Sequence, residues 1–126
     1  MSMSAEAYRQ TIRERDFTAQ VIAEAEAAGW LVYHIPDWMY QSAFASWQRT
    51  GNRAGRRWPM RGFPDLVLSH PERHEVLFVE VKTRYGRQSH EQQRWAAALV
   101  ACGLRVELWR PADWPSIEHR LKGAGE

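Results

Sequence analysis

The chain has very little cysteine. Cys102 stands alone among 126 residues. That excludes an internal disulfide and any cysteine-cluster zinc site, and it matches a reducing compartment. Long apolar runs are also missing, so no segment reads as a membrane span. The N-terminus is polar rather than signal-like, which gives the cytoplasm as the expected location and no membrane as a partner. No internal repeat is present. Net charge is only +2 with a pI near 9.0, but the balance is uneven. Acid is absent between positions 49 and 61, where Arg49, Arg53, Arg56, Arg57 and Arg61 fall together. Such a local basic patch is the footprint expected of phosphate binding.

What the chain does have is concentrated between Gly62 and Thr83. Gly-Phe-Pro-Asp-Leu-Val-Leu-Ser precedes a polar turn, and Glu-Val-Leu-Phe-Val-Glu-Val-Lys-Thr follows it. Two runs of β-formers flanking a polar turn predict a hairpin. Alternation puts Val76, Phe78, Glu80 and Lys82 on one face of the second strand. Antiparallel pairing sets the start of one strand beside the end of its neighbour, so Asp65 is expected close to Glu80 and Lys82. A buried carboxylate must be paired or coordinate a metal. Two carboxylates with a nearby lysine suit a hard divalent cation, which prefers oxygen ligands.

Around this hairpin the chain reads as one domain over 1–126, with its core at about 14–114. Ala5 to Ala28 predicts a helix, stopped by Gly29, with Phe17, Val21, Ala25 and Ala28 as its apolar stripe. Glu14 continues that stripe toward the sheet, with a solvated, arginine-paired glutamate as the plain alternative and Asp16 as the rival position. Trp30 to Ile35 predicts a strand, in which His34 reads as structural more readily than as a ligand. Met39 to Ser46 suits a short helix. Thr50 to Arg61 reads as a loop, and the whole stretch 38–61 as a basic, aromatic insertion. Trp47 and Trp58 interleave there with the arginines, a pattern suited to nucleic acid. Ser89 and Gln92 form a capping box at the start of another helix. Leu104 to Arg110 is the last strand, with Leu104, Val106 and Leu108 inward, and Pro115 to Leu121 a final helix. Helix, three strands, helix, strand gives an α/β domain, a mixed four-stranded sheet flanked by helices.

Pro64-Asp65, fourteen residues, then Glu80-Val81-Lys82 resembles the PD-(D/E)XK nuclease signature. Gly62-Phe63-Pro64-Asp65-Leu66, Glu80-Val81-Lys82-Thr83, Gly86-Arg87, Ser89, Gln92-x-x-Trp95 and Gly103 resemble its VRR-NUC (virus-type replication-repair nuclease) branch. The resemblance implies a restriction-endonuclease-like core and a Mg²⁺- or Mn²⁺-dependent endodeoxyribonuclease. It implies metal binding by Asp65, Glu80 and the Val81 carbonyl with help from Glu14. Lys82 then acts on the attacking water and Gln92 frames the site. Arg53, Arg56, Arg57, Arg61, Arg84 and Arg87 are the expected DNA contacts. The resemblance further implies branched DNA as substrate, Holliday junctions included, a homodimer, and a role in phage or mobile-element replication and repair. A phage-encoded copy acts in the bacterial host cell. The rival reading is a non-catalytic nucleic-acid-binding module that retains the fold. A third takes Glu80 and Lys82 as a structural ion pair.

Overall fold

The computed structural model describes residue 4 and residues 11–34, 37–50 and 62–123. The arginines Arg53, Arg56, Arg57 and Arg61 lie outside the described residues.

The order of elements is α1 (Glu14–Ala27), β1 (Leu31–His34), α2 (Asp37–Thr50), β2 (Leu66–His70), β3 (Glu75–Val81), α3 (His90–Ala101), β4 (Val106–Trp109) and α4 (Trp114–Lys122). The strands form one four-stranded sheet in the order β1-β2-β3-β4. The β1–β2 and β2–β3 pairs are antiparallel, and β3–β4 is parallel. This is the expected mixed sheet with flanking helices. The turn between β2 and β3 is a short 3-10 segment at Pro71–Arg73, closed by His74 in the left-handed region at φ 53°.

The core lies on one face of the sheet. Leu66 and Leu68 of β2, Leu77, Val79 and Val81 of β3, and Trp109 of β4 are buried there. They meet Phe17, Val21 and Ala25 of α1 and Trp114, Ile117 and Leu121 of α4. Each fully buried Leu or Phe contributes about 1.5–3 kcal/mol, so this layer supplies most of the stabilising burial. The rings of Phe17 and Trp114 meet edge to face at 6.3 Å and join the two helices. Trp30 is buried just before β1, and its indole N–H donates to the Leu121 carbonyl at 2.8 Å.

Three expectations change in detail. The first helix does not run continuously from Ala5, because Arg13 is extended at ψ 151° and the helix begins at Glu14. Ile12 leaves the helical path and is buried in the core. In the last strand the buried side chain is Trp109, while Val106 and Leu108 are half-buried on the opposite face. Parallel pairing explains this, since Trp109 stands opposite Val81 and Leu108 opposite Glu80. The α2 helix spans Asp37–Thr50 and so exceeds the expected short helix at both ends.

Candidate active site

The site lies on the second face of the sheet, at the ends of β2 and β3. The register pairs Leu66 with Val79, and strand pairing stops there. Continued by one residue, the same register sets Asp65 opposite Glu80. Asp65 Oδ2 accepts the backbone N–H of Val81 at 2.7 Å. The side chain thereby extends the ladder by one bond and fixes the Asp65 carboxylate beside the end of β3.

Glu80 is fully buried at 0% exposure. Its Oε2 accepts a hydrogen bond from the Gln88 amide, Nε2–H. Its Oε1 is also buried and has no hydrogen-bond partner. Burial pushes the Glu80 carboxyl above its ordinary value. The Gln88 bond opposes that rise, the nearby Asp65 charge adds to it, and Lys82 opposes it. Lys82 follows two residues later on the same face, half-buried. Its backbone N–H donates to the Trp109 carbonyl at 3.0 Å.

The run before Asp65 has a mechanical role. Gly62 has φ +86°, and a Cβ built there would lie 2.6 Å from the Glu91 carbonyl oxygen and 2.7 Å from the Gln92 nitrogen. Only glycine lets this backbone approach the first turn of α3 so closely. Phe63 then sits edge to face against Phe78 of β3 at 6.0 Å and Trp95 of α3 at 5.1 Å. Gly62 and Phe63 together clamp the Asp65 segment between sheet and helix.

The loop after Lys82 is held from below. The Arg110 guanidinium donates through Nη1 to the carbonyls of Thr83 and Gly86, each at 2.6 Å. A Cβ on Gly86 would come within 3.3 Å of Lys82 Cδ, so the loop backbone lies against the lysine's stem. Gln88 ends the loop and returns to Glu80. The loop therefore contacts two of the three motif side chains.

The other residues singled out in the sequence make contacts of their own. The Gln92 side-chain oxygen accepts the Ser89 N–H at 2.8 Å, and Ser89 Oγ accepts the Gln92 N–H at 3.1 Å. Its amide oxygen is thus engaged in capping α3, and the glutamine that touches Glu80 is Gln88. Glu14 is exposed in the first turn of α1. Among the described residues no group of three or more His, Cys, Asp and Glu side chains converges. Asp16 instead pairs with Arg13 at 3.2 Å, and His34 is exposed. Arg84 and Arg87 are exposed on the loop beside Lys82. Sequence reasoning did not find Gln88 or Arg110. Both act through the fold of a loop, which has no periodicity to betray them.

The residues present fit a hard cation. Magnesium needs only one or two protein carboxylates, because it retains waters and takes substrate oxygens. A fully buried carboxylate oxygen without a partner is otherwise costly. Asp65 and Glu80 are the carboxylates that would hold such an ion.

The α/β sheet thus carries an acidic pair and a lysine where β2 begins and β3 ends. The VRR-NUC domain family model matches residues 3–113, and the chain belongs to that family of nucleases. A stretch of 47 residues is 45% identical to the Fanconi-associated nuclease 1 homolog of Caenorhabditis elegans. That match covers 37% of this chain but 5% of the worm protein, so this chain spans a small fraction of that relative. A solved VRR_NUC domain shares the fold at TM-score 0.58 with 21% identity, over 90% of this chain and 97% of the other. A second, a VRR_NUC domain protein, aligns at TM-score 0.50 with 14% identity, over 91% and 97%. Among the described residues no helix is long and apolar enough to cross a membrane.

Proposed function

We propose that this domain is a Mg²⁺- or Mn²⁺-dependent endodeoxyribonuclease that hydrolyses phosphodiester bonds at the Asp65–Glu80–Lys82 cluster. One observation carries the reading. Glu80 is completely buried with one oxygen lacking a partner, beside a second carboxylate fixed on the Val81 amide. As a purely structural feature this is expensive, and as half of a cation site it is sound.

A divalent ion bound there would offset charge on the phosphoryl oxygens and acidify water. Asp65 and Glu80 would hold it, with the Val81 carbonyl as a further oxygen. Gln88 keeps Glu80 Oε2 engaged and so orients Oε1. Lys82 orients the attacking water and stabilises negative charge on the phosphorus centre. The water oxygen adds to phosphorus, and the bond to the 3′ oxygen breaks. The attacking water loses a proton to solvent and the leaving oxygen takes one from solvent, giving a 5′-phosphate and a 3′-hydroxyl. Arg84 and Arg87 sit where the flanking phosphates would pass, with Arg53, Arg56, Arg57 and Arg61 as further contacts.

The substrate proposed is branched DNA, Holliday junctions included, handled by a two-fold dimer, since paired cuts need two sites. The setting proposed is replication or repair of a phage or mobile element, within the cytoplasm of a host cell. The test is a panel of labelled branched, linear and single-stranded DNAs with Mg²⁺ or Mn²⁺, run beside Lys82→Ala. Metal-dependent cleavage by wild type alone is the expected result. Binding without cleavage by both proteins would return the domain to a non-catalytic role.

A further inference from the structure

The loop Arg84-Tyr85-Gly86-Arg87 joins Lys82 to Gln88, yet its most prominent side chain has no part in the chemistry above. Tyr85 is 79% exposed, more than any other large apolar side chain whose burial is described. It contributes almost nothing to the core. Its backbone surroundings are nevertheless tied down. Arg110 binds the carbonyls on both sides, at Thr83 and Gly86, and the Gly86 N–H closes the turn on the Thr83 carbonyl at 3.3 Å. The loop's carbonyls point inward and its side chains outward. The Arg84 guanidinium lies over the Tyr85 ring, 4.9 Å from its centroid, which limits the ring's freedom.

We infer that Arg84 and Tyr85 form a stacking platform that takes one unpaired nucleobase next to the phosphate being cut. The proposal rests on the nuclease reading and assigns a contact that reading lacks. An aromatic ring already restrained by a guanidinium offers a flat face at little ordering cost. Bases are sequence-tolerant partners for such a face, because each has a π-surface. A base inside a duplex is already stacked on its neighbours and must be extruded before it can bind elsewhere. The platform therefore favours a nucleotide that is unpaired at the outset. Charge fits the same occupant, since Arg84 lies over the ring and Lys82 and Arg87 stand within three residues of it in the chain, cations that attract the backbone. The three chain steps from Lys82 to Tyr85 span at most about 11 Å, so base and reacting phosphate belong to the same short stretch of strand.

The experiment uses the full chain with calcium in place of magnesium. The probes are a blunt duplex and the same duplex ending in a single-stranded tail, with 2-aminopurine at successive tail positions. Wild type should prefer the tailed DNA and quench 2-aminopurine at one or two adjacent positions. Tyr85→Ala should lower the preference ratio about tenfold and abolish the quench, at an unchanged Tm. Tyr85→Phe should restore both. Equal weakening of the two DNAs by Tyr85→Ala, or no position-dependent quench with wild type, overturns the platform. If wild type also cleaves DNA in magnesium under those outcomes, the nuclease reading survives and only the platform fails. If wild type binds neither DNA and cleaves none, both are overturned.

Discussion

The Asp65 carboxylate accepts the Val81 N–H at 2.7 Å, one step beyond the last paired residues of β2 and β3. The bond needs an acceptor oxygen but not a charge. Asp65→Asn can keep it, whereas Asp65→Ala cannot. In metal-free buffer Asp65→Asn should melt within a degree or two of wild type, and Asp65→Ala should lose about 1 kcal/mol or more. Manganese should raise the Tm of wild type, because a ligand that binds only the native state stabilises it. Neither variant should respond. Equal manganese shifts for all three proteins would show that Asp65 is not a ligand.

Glu80 tests the same site with the opposite sign. Its buried, unpartnered oxygen is a burden on the metal-free fold. Glu80→Gln removes the charge at nearly constant volume, so Tm without metal should rise by a few degrees while cleavage disappears. A thermal melt in EDTA beside a cleavage assay in magnesium decides it. A fall in Tm would mean that the charge itself is needed by the fold.

Gly62→Ala should be among the costliest small substitutions in the chain. The added methyl meets helix backbone rather than a yielding side chain, and φ +86° is unfavourable for alanine. A loss of at least about 2 kcal/mol is expected in urea unfolding. Ala at Gly103 would meet nothing within 4 Å and pays only for its positive φ, so its loss should be smaller.

Arg110 holds the loop that contacts both Lys82 and Glu80. It is a positioning residue rather than a catalytic one. Arg110→Gln should lower kcat at least about tenfold with a much smaller change in DNA affinity, because misplacing a reacting group costs rate more than binding. Arg110→Lys should recover only part, since one ammonium does not reproduce the planar fork. A variant that loses binding and kcat in equal measure would mark a general collapse of the loop instead.

On the far side of the domain, Glu75 sits between Arg73 and Arg120, 3.0 Å from each, and Arg120 continues to Glu107 at 2.8 Å. Burial raises the Glu75 pKa, but the two guanidiniums outweigh it and hold the carboxyl below its ordinary value of 4.5. A depressed carboxylate adds stability above its unfolded pKa and loses it as pH falls through the folded one. Glu75→Gln should therefore cost about 2 kcal/mol at neutral pH, between an exposed and a fully buried pair. The gap to wild type should close in acid below 4.5, the ordinary carboxylate value. Melts across that range measure it directly.

The hairpin and the meeting of Asp65 with Glu80 were legible in the sequence, because strand alternation and antiparallel pairing fix both. The mixed sheet was legible too, because a helix between β3 and β4 returns the chain parallel to β3. Trp109 was placed on the wrong face because Leu104, Val106 and Leu108 form the more apolar alternation. Sequence alone does not reveal that Val106 and Leu108 lie on the face opposite the main core. The contact of Gln88 with Glu80 escaped the sequence for a similar reason. Gln92 has a recognisable capping spacing and a motif position, whereas Gln88 reaches Glu80 only through the path of a loop that Arg110 shapes. Gly62 and Phe63 were legible as part of a motif but not as a clamp, since their partners lie on α3.

All four polar groups of the site, Asp65, Glu80, Lys82 and Gln88, come from one uninterrupted segment between positions 65 and 88. Their spacing is inherited from nearest-neighbour pairing, so it travels with a single exon-sized piece of gene. Recombination that transplants this ribbon would still have to supply the helix that Gly62 and Phe63 pack against and the Arg110 guanidinium that shapes its loop. By the same logic, lengthening the chain before Gly62 or after Arg110 alters what surrounds the reaction without changing its working parts.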